Sequence, residues 1–329
     1  CCLPPCVASG SCCLVFLDGT LMPTHIIQLT LDAYQEDTEV VIAVPAGRQG
    51  EIGGNLTLVI PGNPGVAIFY RDFAQILADE LTQTVAVISH LGHGTHPVPL
   101  SGVLSLPVLT WQQQVQHKVA AAAALVSLFR STSVSLVGHS IGAMIVAHLA
   151  ASSRLSVPVD KCLLLFPTFL QLHAGLAPPV RLAILPLVRL LLAFLLHLLP
   201  GPLRNAALAS AESMSDEARY HSANRISAHF VHSVLYMAAT EAADILDEFD
   251  EPTTAFFNQR TPANVRFIYG PTDSYTPPPI VRRVVTDFPH LAQAVTHAPR
   301  EVKHAFVLAH SEQVAKLAVS FLGDNTQED

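Results

Sequence analysis

The chain predicts an α/β fold: a mostly parallel sheet with helices on both faces and a helical cap insertion late in the sequence. Three observations predict it. Short apolar runs alternate with helical stretches along most of the 329 residues, as in a sheet covered on both faces. One such run, Val134 to Val137, leads into Gly138-His139-Ser140-Ile141-Gly142, and an Ala-rich helical stretch, Ala143 to Ala151, follows at once. Between Pro167 and about Arg260 the alternation stops and the sequence reads as all-helical.

The elements follow in order. Residues 25–30 and 39–45 predict two antiparallel strands joined by the polar turn Gln35-Glu36-Asp37. Gly47 to Gly54 is a loop. Residues 56–60 form a buried strand that ends in Pro61-Gly62-Asn63-Pro64-Gly65, and helical periodicity runs from Phe69 to Leu81. Residues 85–89 are the next strand, followed by a Gly/His loop from His90 to His96. A helix over about 110–129 leads into the strand before Ser140. Strands at 162–166, 265–269 and 292–296 and a helix over about 305–322 complete the pattern. The core is then 21–168 plus 261–329, and the cap is 169–260.

Half of the residues are apolar and 13% are charged, enough for a large core. The net charge of −8 leaves no basic surface for nucleic acid. A mean hydropathy of +0.40 implies surplus core or a surface meant for lipid. Five of six cysteines, Cys1, Cys2, Cys6, Cys12 and Cys13, crowd the start, whereas a disulfide framework would spread them. No basic stretch precedes the apolar residues 12–17, so they make a poor signal peptide. Residues 1–20 read as an unstructured fragment end or gene-model artefact, with palmitoylation of the clustered cysteines as the alternative.

The pentapeptide carries the chemistry. A strand, a sharp turn and a helix around G-x-S-x-G form the nucleophile elbow of the α/β-hydrolase fold. Ser140 sits on the turn with its hydroxyl exposed, and Gly138 and Gly142 lack the Cβ that would strike neighbouring backbone. The helix N-terminus then faces the point where negative charge develops. A serine hydroxyl needs a base and an orienting carboxylate, in the chain order Ser, Asp or Glu, His. Asp273 lies just past the seventh predicted strand, in Tyr269-Gly270-Pro271-Thr272-Asp273. The acids from Glu241 to Glu251 precede that strand on a helical stretch and read as a solvated face. Of His290, His297, His304 and His310, only His304 falls in the loop after the eighth strand. The oxyanion hole takes two backbone N–H donors, from Ile141 and, in the loop after strand 56–60, Asn63. No metal or cofactor is needed.

These segments together resemble the lipid droplet-associated hydrolase family. They are Val59-Ile-Pro-Gly-Asn-Pro-Gly65 with Phe69-Tyr70 and Phe73, Ile88-Ser-His-Leu-Gly-His93, Gln114-Val-Gln-His-Lys118 and Leu136-Val-Gly-His-Ser-Ile-Gly142. Leu164-Leu-Phe-Pro-Thr168, Tyr269-Gly270 through Asp273 to Pro277, Asp287-Phe-Pro289 and His304-Ala-Phe306 complete the set. They span about residues 56–315. The first forty residues and much of the cap match less closely. The resemblance implies Ser140, Asp273 and His304 as the triad. It also implies residence on lipid droplets and the endoplasmic reticulum at the cytosolic face, and hydrolysis of neutral-lipid esters such as cholesteryl esters or acylglycerols.

Residues 178–203 are the most apolar stretch, and its central run, Val180 to Leu199, would span about 30 Å as one helix. Arg181, Pro186, Arg189 and His197 argue against a bilayer crossing, since a central Arg costs roughly 2.5–3.5 kcal/mol. A Pro-kinked helix lying in a droplet monolayer, its Arg side chains reaching the headgroups, fits better. The expectation is therefore a serine esterase at a lipid surface. The alternatives are a droplet scaffold with little activity and an acyltransferase using the same triad. Dehalogenase chemistry is disfavoured because Ser, not Asp, occupies the elbow.

Overall fold

The computed structural model describes residues 14–16, 24–34, 37–46, 53–94, 108–200, 203, 219–222 and 227–324. Among the described residues, nine strands form one sheet in the order β1-β2-β3-β5-β4-β6-β7-β8-β9. Leu14–Phe16 (β1), Thr24–Leu29 (β2) and Thr38–Ala43 (β3) form the antiparallel edge, β3 pairing antiparallel with Thr84–Ile88 (β5). From there the sheet is parallel: Asn55–Ile60 (β4), Ser133–His139 (β6), Val159–Leu165 (β7), Val265–Tyr269 (β8) and Val295–His297 (β9). Because Leu14–Phe16 adds an edge strand, the seventh and eighth predicted strands are β8 and β9. The remainder of residues 1–20 lies outside the described residues, as do 35–36, 47–52 and 95–107.

Period-2 side-chain alternation splits the core in two. Val41, Val59, Val87, Val137, Leu163, Leu165 and Ile268 pack on one face with Arg71–Leu81 (α1) and the C-terminal helix. Ile42, Leu58, Ile88, Leu136, Leu164 and Phe267 pack on the other with Trp111–Phe129 (α2) and Ile141–Ala151 (α3). A capping box starts α2: Thr110 Oγ1 accepts from Gln113 N–H and Gln113 Oε1 accepts from Thr110 N–H.

Two sequence expectations shift by several residues. Residues 292–296 were expected as a strand, but Pro289–Ala294 is a 3₁₀ helix and only Val295–His297 pairs with β8. Pro289 starts that turn and cannot donate to a ladder. The final helix, expected from about 305, starts at Ser311 after a 3₁₀ turn at Phe306–Leu308.

Between β7 and β8 the described residues are helical. Leu172–Gly175 (α4), Pro178–Ala183 (α5) and Pro186–Leu198 (α6) come first, then Ala228–Asp244 (α7) and Glu251–Asn258 (α8). Pro278–Asp287 (α9) and Ser311–Leu322 (α10) follow β8 and β9. Residues 178–200 of the apolar stretch thus hold two helices, broken where Pro186 starts the second. No helix among the described residues is long and apolar enough to cross a membrane. Ala193 of α6 packs on Ala228 and Val231 of α7. The opposite face of α6 carries Leu187, Leu191, Phe194, Leu195 and Leu198, all exposed, with Leu187 at 82%. Their spacing puts them on one stripe.

Candidate active site

Ser140 sits at the C-terminal edge of the sheet, between β6 and α3. Its backbone has φ 55° and ψ −123°, a conformation that costs an L-residue about 1–3 kcal/mol and recurs where a side chain must be held for function. The turn is tight enough to exclude side chains on either side. A Cβ on Gly138 would lie 2.4 Å from Gly142 O, and one on Gly142 would lie 2.2 Å from Ile60 O.

The structure brings the three candidate triad residues together across 164 residues of chain. His304 Nε2 is 2.9 Å from Ser140 Oγ, and His304 Nδ1 is 2.6 Å from Asp273 Oδ2. The carboxylate can only accept, so Nδ1 carries the proton and Nε2 is free to accept the serine hydroxyl. Asp273 follows β8 in a turn that aims it. Oδ1 accepts from Tyr275 N–H at 2.9 Å, and Oδ2 also accepts from Thr276 Oγ1 at 2.9 Å. Burial opposes ionisation of Asp273, but the hydrogen bonds from His304, Tyr275 and Thr276 outweigh it and hold the carboxyl below its ordinary value. The Tyr275 ring lies 4.6 Å from the His304 ring, centroid to centroid.

His304 lies in the loop after β9, as expected, while His310 is the residue before α10 rather than inside it. The turn beneath His304 is apolar. Phe306 contacts Phe73, Phe166 and His139 at ring-centroid distances of 5.3, 5.8 and 5.0 Å. Phe166, at the end of β7, holds a positive φ of 47° and is fully buried. Its ring stands 6.0 Å from that of His304.

The loop 61–65 lies against the elbow, since a Cβ on Gly62 would come 2.9 Å from Ser140 Cβ. Gly62 N–H donates to Tyr70 Oη at 2.9 Å. Among the described residues, neither Ile141 N–H nor Asn63 N–H has a protein acceptor. These are the two donors expected from sequence. The Asn63 side chain turns away toward the cap, where Nδ2 donates to Val234 O at 3.0 Å and to Glu241 Oε1 at 3.1 Å.

Glu241 corrects the expectation of a solvated acidic face. It is 5% exposed, and burial pushes its carboxyl up to about 8 despite the Asn63 hydrogen bond. His229, Ser233, Met237, Glu241 and Ile245 recur every four residues and are all buried, so the spacing alone could have placed Glu241 on the inner stripe. Asp250 departs from that expectation too, half-buried against His148 at 2.7 Å, whereas Glu248 is exposed and pairs with Arg283 on the surface. Sequence reasoning also missed Lys118, fully buried in α2. Its Nζ donates to Ser89 O at 2.7 Å, behind loop 61–65. No cluster of metal-ligating side chains occurs among the described residues.

The strand order, the elbow between β6 and α3 and the helical insertion after β7 define an α/β-hydrolase fold, and solved structures agree. A haloalkane dehalogenase from Agrobacterium tumefaciens C58 matches with a TM-score of 0.64 at 13% identity, covering 91% of this chain and 96% of that one. An α/β-hydrolase fold protein from Burkholderia ambifaria matches with a TM-score of 0.59 at 14% identity, over 93% and 99% of the two chains. At such identity the likeness concerns the fold alone.

Within that class the chain belongs to the lipid-droplet associated hydrolase family, whose model matches residues 54–307. It is 30% identical over 279 residues to a lipid droplet-associated hydrolase of Dictyostelium discoideum, covering 82% of this chain and 87% of that protein. It is 27% identical over 285 residues to that of Gallus gallus (82% and 85%). The human protein of that name shares 23% over 286 residues, with the same coverage.

Proposed function

We propose that this protein is a serine hydrolase of carboxylic esters that works at the surface of lipid droplets. The observation that carries the reading is the relay from Asp273 Oδ2 through both His304 nitrogens to Ser140 Oγ, with spans of 2.6 and 2.9 Å. Its geometry suits acyl transfer. His304 Nε2 takes the hydroxyl proton as Ser140 Oγ attacks the ester carbonyl. The backbone N–H groups of Ile141 and Asn63 receive the oxyanion. Asp273 stabilises the imidazolium. His304 then returns the proton to the leaving alcohol, leaving an acyl-serine. Water, deprotonated by His304, releases the carboxylic acid.

Relatives named for lipid droplets support the place of action, and so does the exposed stripe on α6. Five half-exposed or more exposed large side chains on one face suit a phospholipid monolayer at a droplet or the endoplasmic reticulum, and the substrate class that follows is neutral-lipid ester, sterol or glycerol. Arg181 is exposed and Arg189 half-buried, and both guanidinium groups are held by the protein. Arg181 caps carbonyls of Ala174 and Leu176, and Arg189 stacks on Tyr236 at 4.8 Å. The stripe therefore enters lipid as an apolar wedge.

A fluorophosphonate probe tests the reading. Labelling of Ser140 alone, lost in Ser140→Ala, is expected, followed by turnover of sterol or acylglycerol esters presented on droplets. A folded protein that leaves the probe unreacted would overturn it.

A further inference from the structure

The residue beside the nucleophile carries a hydrogen-bond chain that the proposed chemistry does not use. His139 is 5% exposed and Tyr70 is 3% exposed. Tyr70 Oη lies 2.5 Å from His139 Nδ1, and His139 Nε2 lies 2.9 Å from the backbone carbonyl of His304. Gly62 N–H donates to the same Tyr70 Oη at 2.9 Å.

The direction of every proton in this chain is determined. A carbonyl can only accept, so His139 Nε2 carries hydrogen. Burial and the neighbouring His304 push His139 down to about 3, so the ring is neutral and Nδ1 accepts. Tyr70 O–H must then donate to Nδ1, and its oxygen accepts from Gly62 N–H. Each polar atom is used, and Phe166 and Phe306 close around the His139 ring at 6.0 and 5.0 Å. In such a dry setting a satisfied network is stiff, and one missing member leaves costly orphans.

The chain joins three separate parts of the site: the loop carrying Asn63, the elbow carrying Ser140, and the backbone of His304. We propose that Tyr70 and His139 are positioning residues that lock the oxyanion loop, the nucleophile and the base into one geometry. Because Tyr70 consumes Gly62 N–H, the next N–H in the loop, Asn63, is left for the oxyanion. The proposal rests on the serine-hydrolase reading above.

The two fail separately in one experiment. Fluorophosphonate labelling is followed at several probe concentrations in wild type, Tyr70→Phe, His139→Leu and His139→Gln. This separates the first-order labelling rate from the probe's binding constant. That rate belongs to the folded, labelled fraction and does not change when some protein merely unfolds. Tyr70→Phe and His139→Leu should lower it by about 10- to 100-fold, the scale set by a misplaced or lost oxyanion donor, with probe binding unchanged within about twofold. His139→Gln should recover most of the rate, because an amide offers one acceptor and one donor at nearly the imidazole spacing. Wild-type labelling at Ser140 with variant rates equal to it would overturn the positioning role. So would a variant that loses only folded fraction at an unchanged rate. A folded wild type that takes no label overturns the serine-hydrolase reading and this proposal with it.

Discussion

Replacing Glu241 by Gln should make the protein more stable as pH rises, by an amount the structure sets. Glu241 is buried on α7, and its carboxyl is pushed up to about 8 from an ordinary 4.5. Asn63 Nδ2 is its hydrogen-bond donor, and Tyr275 is a titratable neighbour whose hydroxyl is held from ionising by burial first, then by Asp273 and Glu241. In the unfolded chain the carboxyl ionises at its ordinary value. Between pH 4.5 and about 8 the native protein therefore holds a proton that the unfolded chain has released, and stability falls as pH rises. The slope is about 1.4 kcal/mol per pH unit, so about 3.5 pH units amount to at most about 5 kcal/mol. Gln keeps the shape and the acceptor for Asn63 but has no charge to desolvate. Urea unfolding of both proteins from pH 4 to 9 isolates the effect, because all other titrating groups cancel in the difference. The difference should be flat below pH 4.5, grow in favour of Gln up to about pH 8, and then level off. Parallel stability curves would refute the reasoning, since they would mean that Glu241 is ionised in the native protein at neutral pH. The same ionisation would place a carboxylate charge on Glu241, against the Asn63 side chain and near the proposed oxyanion donor. Fluorophosphonate labelling should accordingly slow above pH 8 in wild type and not in Glu241→Gln.

Other residues give equally direct tests. Asp273→Asn should leave the fold intact and lower turnover by about 10⁴-fold, because an amide favours the wrong His304 tautomer; a loss below tenfold in steady-state kinetics would remove Asp273 from the relay. In wild type, Asp273 sits below its ordinary 3.8, so it adds stability above that pH, and the contribution disappears as pH falls through the lowered value; acid titrations of wild type and Asp273→Asn should diverge only above that point. Gly142→Ala would press a methyl against Ile60 O and should cost at least about 2–3 kcal/mol in chemical denaturation. Leu187→Glu with Leu191→Glu should leave the melting temperature within a degree or two and weaken binding to phospholipid-coated triolein droplets more than tenfold, given on the order of 1 kcal/mol per exposed Leu plus the charge. Unchanged flotation with the droplets would move lipid contact off α6.

What the sequence made legible, and what it hid, divides along a physical line. Ser140, Asp273 and His304 could be placed because each is tied to a strand end, and strand ends are marked locally by apolar runs stopping at Gly or Pro. β8 was expected at 265–269 and lies at Val265–Tyr269 for that reason. β9 was misplaced because five residues as short and mixed as Ala292-Gln-Ala-Val-Thr296 do not distinguish a strand from a 3₁₀ turn, and Pro289 decided it. Glu241 was misjudged on residue type, although its four-residue spacing from Met237 and Ile245 put it inside. Tyr70 and His139 lie in the segments that resemble the family, but nothing local in the sequence pairs them. Tyr70 ends a 3₁₀ turn, His139 is the variable letter of a pentapeptide, and they meet only when β4 and β6 pair in register, Ile60 opposite Gly138. That pairing sets Pro61 and Gly62 beside His139 and Ser140, so the sheet register itself decides whether the loop N–H groups face the nucleophile. A one-residue slip would turn every side chain of β6 to the other face and exchange the two cores. The apolar residues on both faces of β4 and β6 therefore do more than stabilise: by excluding that slip they position Gly62 for Tyr70 and leave Asn63 N–H free.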